Sequence, residues 1–276
     1  MHIGIVGLGL IGGSLAKAVK AKTTHTVLAF DKNEEVLSKA LSDKVVDAVL
    51  DENTLSSCQI VLVALYPQAA VDYIRTHQDH FAKGGIVVDC CGVKEVVCTP
   101  CAEAAAQAGF TFIGGHPMAG IEKAGYDHSF PTLFEGASMV LTPEEGTDQK
   151  AVRTVSDLCG ELGFGRIQIS TPKEHDRMIA LTSQLAHVLS SAYVKSPAAL
   201  SHAGFSAGSF KDMTRVAWLN ENMWTELFFD NKAALLDEID GLIDRLQAYS
   251  DALRRNDKAW MHSLLKEGRE RKEIVG

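Results

Sequence analysis

The chain opens Met1-His2-Ile3-Gly4-Ile5-Val6-Gly7-Leu8-Gly9-Leu10-Ile11-Gly12, and this stretch decides the fold. Met1–Val6 is a short β-branched run that reads as a strand. Gly7-Leu8-Gly9-Leu10-Ile11-Gly12 is G-x-G-x-x-G, and Leu10, Ser14, Lys17 and Ala18 then recur at helical spacing in a helix running to Lys22. A second strand, Thr26–Phe30, ends on Asp31, about twenty residues past the glycines. In that setting each glycine has its own task. Gly7 permits a tight turn, Gly9 lets a pyrophosphate approach the backbone, and Gly12 lets helix and strand pack closely. The free N–H groups and positive end of the helix hold the anion. Asp31 is placed to accept hydrogen bonds from both ribose hydroxyls and to repel a 2′-phosphate, which favours NAD over NADP, with Lys32 as a mild counterweight. The expected cofactor site is Gly7, Leu8, Gly9, Leu10, Ile11, Gly12 and Asp31, extended by Ala64, Leu65 and Cys91. The alternatives are a tight turn without a ligand for the glycines and a helix N-terminal acid for Asp31.

Outward from this unit, strands and helices alternate. A helix is expected from about Asn33 to Ser42. Gln59–Leu65 is a continuous apolar run bounded by Pro67, the mark of a strand buried on both faces of a parallel sheet. A helix near Pro67–His80, a strand at Gly85–Asp89, a helix around Val93–Ala108 and a strand at Phe110–Ile113 follow. Past a loop rich in Gly and His come a strand at Ala137–Leu141, a helix from about Asp148 to Leu162 and a strand at Arg166–Ile169. Repeated βα units imply a doubly wound, Rossmann-type sheet. Beyond Pro172 no strand is evident, and all seven prolines lie at or before Pro197, leaving the remainder free to run in long helices. Leu235, Ile239, Leu242, Leu246, Tyr249 and Leu253 are spaced 4-3-4-3-4, a stripe for helix-on-helix packing within one chain or across a dimer. The expected architecture is α/β: residues 1–168 form a dinucleotide-binding domain and residues 169–276 a helical domain for substrate binding and homodimerisation.

A formal net charge of −8 argues against a nucleic-acid partner. No apolar run approaches the ~20 residues of a membrane span, and the N-terminus lacks a basic n-region, so the expected location is the cytoplasm. The six cysteines, Cys58, Cys90, Cys91, Cys98, Cys101 and Cys159, are then free thiols. Cys98 and Cys101 form C-x-x-C, which reads as zinc ligands or as small buried thiols. No second Cys or His pair stands at zinc-finger spacing, so no metal is expected.

Gly114-Gly115-His116-Pro117-Met118-Ala119-Gly120 follows a strand, at the carboxyl edge where doubly wound sheets place their ligands. Histidine is the side chain best suited to accept a hydroxyl proton near neutral pH.

At this point the sequence resembles a known family. Gly114 through Gly120, followed by Ile121 and Glu122, is similar to the G-G-H-P-M-A-G-x-E signature of the prephenate and arogenate dehydrogenases of tyrosine biosynthesis. Asp89-Cys90-Cys91-Gly92-Val93-Lys94 resembles the family's D-x-x-S-x-K. Glu174-His175-Asp176-Arg177 and Ser183-Gln184-Leu185-Ala186-His187 resemble its E-H-D and S-H-L-P-H elements, and Gly208–Val216 its G-G-F-x-D-x-T-R-I. The match runs in order over nearly the whole chain.

The resemblance implies an oxidative decarboxylation. A cyclohexadienyl substrate gives hydride to NAD from its hydroxyl carbon, loses its ring carboxylate as carbon dioxide and becomes aromatic. It implies that His116 takes the ring hydroxyl's proton, that Arg215 binds the ring carboxylate through its guanidinium fork, and that His187 and Lys211 help hold the anionic substrate. Glu122 is a contact for the substrate side chain or a solvated loop acid. Prephenate, with NAD, is the expected substrate; arogenate, or another hydroxyacid of the Rossmann/helical dehydrogenases, is the alternative.

Three positions depart from the pattern. Gly92 replaces the family serine in the substrate site, so a hydroxyl beside His116 is missing and a water is its substitute. Gln184 replaces a histidine and Ala186 a proline. Without the resemblance, His187 reads as a packed helix residue, and Lys211 and Arg215 as a solvated face with Asp212. His175 and Asp176 read as the start of a helix capped by Thr171 or a neighbour, with its first-turn acids suited to the helix dipole.

Overall fold

In the computed structural model, which describes residues 1–276, β1 (His2–Val6) lies inside an eight-stranded sheet. The chain runs from β1 through α1 (Leu10–Lys22), β2 (Thr26–Phe30), α2 (Glu34–Ser42) and β3 (Ala48–Val49) to β4 (Ile60–Val63). It continues through α3 (Pro67–Thr76), β5 (Ile86–Asp89), α4 (Glu95–Ala108) and β6 (Thr111–Pro117) to β7 (Ser138–Pro143), α5 (Gln149–Leu162) and β8 (Arg166–Ile169). The strand order is β3-β2-β1-β4-β5-β6-β7-β8. From β1 the chain winds outward one way to β3, then crosses back so that β4 pairs on the other side of β1. The switch of direction lies between β1 and β4, where open α/β sheets bind ligands.

Alternation along the strands explains the two packed layers. Ile3 and Ile5, with Ile60 and Leu62, face one core together with α1 and α5. Val6, with Val61 and Val63, faces the other together with α3 and α4. All of these side chains are buried, so both sheet faces are covered by helices, as expected from uninterrupted apolar strands. The expected Rossmann-type sheet is present, with one difference. The strand at Phe110–Ile113 does not end in a loop. β6 extends through Gly114, Gly115, His116 and Pro117 and pairs antiparallel with β7, His116 opposite Val140. No crossover helix separates the two strands, which lets β7 return antiparallel. The two glycines serve close packing rather than a turn. A Cβ on Gly114 would sit 2.2 Å from Thr142 Oγ1, and one on Gly115 would sit 2.5 Å from the Asp89 carbonyl oxygen.

After Ile169 the only regular elements are helical: α6 (Pro172–Ile179), a π-helical turn at Ala180–Gln184, α7 (Leu185–Val194), α8 (Gly208–Thr214), α9 (Glu221–Asp230), α10 (Lys232–Arg254) and α11 (Lys258–Val275), with short 3-10 turns between them. Thr171 caps α6, its hydroxyl accepting from Glu174 N–H at 3.2 Å. In the stripe along α10, Leu235 is buried, whereas Leu246 and Leu253 are 53% and 71% exposed. No helix is long and apolar enough to cross a membrane.

Candidate active site

The turn between β1 and α1 is built by glycine geometry. Gly7 has φ of 86°, left-handed backbone that a side chain would strain. A Cβ at Gly12 would lie 1.8 Å from the Gly7 carbonyl oxygen, so any larger residue would drive the helix off the strand. Gly9, which caps α1, is different: a Cβ there meets no atom within 4 Å. The turn is therefore tight on its inner side and open at the helix start, the cradle that a pyrophosphate needs. Asp31, just past β2, braces this cradle, accepting Leu8 N–H at 2.6 Å and Asn33 N–H at 2.8 Å. Lys32 beside it is exposed. Ala64 and Leu65, just past β4, wall the inner side: a Cβ on Gly7 would lie 2.6 Å from the Ala64 carbonyl oxygen and 2.8 Å from Leu65 Cδ2. Leu10 and Ile11 open α1 and are half-buried. The residues present thus fit a dinucleotide laid across the carboxyl edge of β1 and β4. Cys91 points its thiol at the Leu65 carbonyl, 3.5 Å away.

His116 stands near the carboxyl end of β6, over a buried clip. Lys94 Nζ donates to Asp89 Oδ2 and, at 2.6 Å, to the Gly115 carbonyl. Asp89 also accepts from Gly115 N–H at 3.1 Å and Cys91 N–H at 2.9 Å. Both side chains are wholly buried. Burial alone would push the Lys94 ammonium down, but the Asp89 carboxylate outweighs it and holds the ammonium above its ordinary range. The clip pins the backbone immediately before His116 to β5 and α4.

His116 itself is half-buried. Burial first, then the neighbouring His175 ring and the Lys94 ammonium, keep its pKa well below the ordinary value of 6.5, so the ring is neutral at pH 7. Its Nδ1 lies 2.8 Å from His175 Nε2. On the Nε2 side, a Cβ at Gly92 would be 3.9 Å away and 3.5 Å from Leu227 Cδ2 of α9. Gly92 thus lines the space beside Nε2 without filling it.

The helical half closes over this edge. Glu226 of α9 accepts the N–H of Gln68, in the first turn of α3, at 3.1 Å. His187 on α7 is half-buried, bonded through Nδ1 to the Ser183 carbonyl at 2.8 Å, with its ring centroid 4.0 Å from that of Trp224, the two planes tilted by 32°. Burial lowers its pKa, and the charge of Arg215 lowers it further. Arg215 follows α8 and pairs with Glu122, Nη1 to Oε1 3.4 Å, on the loop that leaves β6. The structure therefore brings Arg215 into the electrostatic neighbourhood of His187 and to the His116 loop. Lys211 lies exposed one turn earlier on α8. Cys98 and Cys101 are buried within α4, and burial pushes the Cys98 thiol up to about 12.

Four buried polar residues, His175, Asp176, Gln184 and Asn231, have no assigned role in the site expected from the sequence. His175 and Asp176 do lie in the first turns of α6, as expected, but both are buried and bonded to each other at 2.7 Å. Asp176 caps α4 from outside, accepting Lys94 N–H at 2.8 Å and Glu95 N–H at 2.9 Å. Asn231 donates to the Asp176 carbonyl and to Gln184 Oε1, both at 2.8 Å, and Gln184 donates to the Leu227 carbonyl at 2.9 Å. Gln184, the departure from histidine, thus holds α9 in place through the π-helical turn. One signal was present in the sequence: His175, Asp176, Ile179 and Ala180 share a helix face, which places all four inward.

Comparison with known proteins agrees with this construction. Residues 15–168 match the nucleotide-binding domain of prephenate dehydrogenase and residues 171–267 its dimerization domain. Cyclohexadienyl dehydrogenase of Zymomonas mobilis subsp. mobilis is 32% identical over 278 residues, spanning 96% of this chain and 93% of its own. The crystal structure of Synechocystis arogenate dehydrogenase superposes with a TM-score of 0.86 at 27% identity, covering 100% of both chains. Prephenate dehydrogenase from A. aeolicus, in complex with hydroxyphenyl propionate and NAD+, superposes with a TM-score of 0.83 at 26% identity, covering 99% of this chain and 98% of that one. With both domains matched in order along the chain, the protein belongs to the prephenate dehydrogenase family of nucleotide-binding dehydrogenases.

Proposed function

We propose that the protein oxidatively decarboxylates prephenate to 4-hydroxyphenylpyruvate, a step of tyrosine biosynthesis, with NAD as cofactor. The observation that carries this reading is a neutral His116 at the carboxyl edge of the sheet, its Nε2 facing the space beside Gly92. Gly7, Leu8, Gly9, Leu10, Ile11 and Gly12 hold the pyrophosphate, Asp31 takes the ribose hydroxyls, and Ala64, Leu65 and Cys91 line the path toward the nicotinamide. The cofactor, when bound, supplies the hydride acceptor. His116 accepts the ring hydroxyl's proton at Nε2. Arg215 grips the ring carboxylate, and Lys211 and His187 hold the remaining anionic groups. Loss of carbon dioxide and aromatisation make the step strongly downhill.

In this reading residues 1–168 bind the nucleotide, and residues 169–276 bind substrate and pair two subunits. The match of residues 171–267 to a dimerization domain supports the pairing, as do the exposed Leu246 and Leu253 on α10.

A second reading, arogenate as substrate, is favoured by Glu122. Its carboxylate sits beside Arg215 and would receive the ammonium that distinguishes arogenate from prephenate. Initial rates with each substrate, each paired with NAD and with NADP, decide. Prephenate with NAD is expected to be the fastest combination. Turnover confined to arogenate would establish the second reading, and turnover of neither would overturn both.

A further inference from the structure

His116 and His175 come from opposite halves of the chain, yet their rings meet edge to face with centroids 5.1 Å apart. The hydrogen bond from His116 Nδ1 to His175 Nε2, 2.8 Å, is the first link of a string. His175 Nδ1 bonds Asp176 Oδ1 at 2.7 Å, and the backbone N–H groups of Lys94 and Glu95 hold the two oxygens of Asp176. His175 is 3% exposed and Asp176 1%.

The roles along this string run in one direction. A carboxylate only accepts, so His175 carries a proton on Nδ1. Its Nε2 then offers a lone pair, and His116 supplies the proton of the shared bond from Nδ1. That leaves the lone pair of His116 on Nε2, the nitrogen beside Gly92. Gly92 brings no hydroxyl to the ring, so the orientation and tautomer of His116 are set from the His175 side.

We propose that His175, anchored by Asp176, is the positioning residue for His116 and the acceptor of the proton His116 sheds. This rests on the reading of His116 as the base. As the substrate O–H bond breaks, its proton bonds to His116 Nε2. The Nδ1 proton crosses to His175 Nε2, and the electron pair of the broken N–H bond stays on His116 Nδ1. His116 ends neutral with its tautomer reversed, and the positive charge rests on His175 against the Asp176 carboxylate. The charge thus leaves the ring nearer the Lys94 ammonium for a ring that already faces a carboxylate. When the product departs, the proton returns through the same bond and leaves from His116 Nε2 to solvent.

The test uses full-length native protein, His175→Gln and His175→Leu. Nitrogen-15 NMR of the ligand-free proteins reads the tautomer of His116. Single-turnover rates in mixtures of light and heavy water count the protons moving in the step. Native protein is expected to show His116 protonated on Nδ1 and a curved dependence on the heavy-water fraction, the sign of two protons in motion. In His175→Gln the amide oxygen replaces the Nε2 acceptor. The Nδ1–H tautomer is therefore kept, while the dependence becomes linear and the rate falls. In His175→Leu both tautomers appear, and the rate falls by roughly tenfold to a hundredfold. A residue that merely packs would alter none of these tautomers or curvatures. Native His116 protonated on Nε2, or His175→Leu with native tautomer and rate, overturns the proposal. If His175→Leu does not fold, the native protein and His175→Gln still decide. The tautomer is read without substrate, so it stands apart from any failure of the assigned reaction.

Discussion

Arg215 Nη1 lies 3.4 Å from Glu122 Oε1, a contact that joins the helical half to the loop leaving His116. Both side chains are more than half exposed, at 65% and 52%, so their pairing in water contributes little stability. The guanidinium is free to exchange one carboxylate for another. Arg215→Lys keeps the charge but loses the planar fork. It is expected to raise KM for prephenate by about tenfold to a hundredfold, the equivalent of ~1.5–3 kcal/mol for a charged hydrogen bond. The melting temperature should stay native. Steady-state kinetics and a thermal melt together check this; an unchanged KM removes Arg215 from the substrate site.

The glycine turn separates binding from folding. Gly9→Ala adds a methyl group that meets no protein atom within 4 Å, whereas Gly12→Ala drives one to 1.8 Å from the Gly7 carbonyl oxygen. Gly9→Ala is expected to melt like the native protein while NAD affinity, measured by calorimetry, falls at least tenfold. Gly12→Ala is expected to lose stability before any question of binding arises. Equal NAD affinity in Gly9→Ala and native protein would mean that the pyrophosphate does not lie over this turn.

The contrast between these glycines and His175 shows what a sequence can convey. Gly7, Gly9, Gly12 and Asp31 belong to one short βαβ unit, so their relation is local and their spacing carries it. The apolar runs at β4 and β5 are equally local, and both are strands. The far end of β6 was misread because Gly114 and Gly115 resemble turn residues. Their smallness instead serves contacts with Thr142 and the Asp89 backbone, which lie elsewhere in the sheet. His116 and His175 are 59 residues apart, and the docking of α6 against α4 and β7 brings them together. No periodicity marks such a contact. Gln184 and Asn231 were illegible for the same reason: each is defined by a partner on another helix.

Lys94 and Asp89 form a wholly buried ion pair. Removing one partner leaves the other charge unpaired in the interior. Lys94→Met is expected to cost about 3–5 kcal/mol in urea unfolding. Adding Asp89→Asn removes the stranded charge and keeps an acceptor oxygen for one of the Gly115 and Cys91 N–H groups, which bond different oxygens of Asp89, so the double variant should recover part of the loss. A double variant less stable than Lys94→Met would show that the pair is not coupled in this way.

The lowered pKa of His116 fixes two pH dependences. In the proposed reaction the neutral ring is the active form, so kcat/KM should hold its plateau below 6.5 and fall only as pH drops through the lowered value. For stability, the unfolded chain takes up a proton near 6.5 while the folded chain does not. Stability is therefore fully present above that pH and is lost as pH falls toward the folded-state pKa. The half-buried His187 adds in the same direction. Urea midpoints at neutral and mildly acidic pH should show a smaller acid loss in His116→Asn than in the native protein. An equal loss in both proteins would place the titration elsewhere.

His116→Asn also gives the most direct measurement of the chemistry: prephenate turnover beside NAD affinity in the same preparation. The imidazole is assigned a proton to accept and no part in holding the nucleotide. kcat should therefore fall by about 10²–10⁴-fold while the Kd for NAD stays at its native value. Turnover by His116→Asn at a rate near native would contradict His116 as the base.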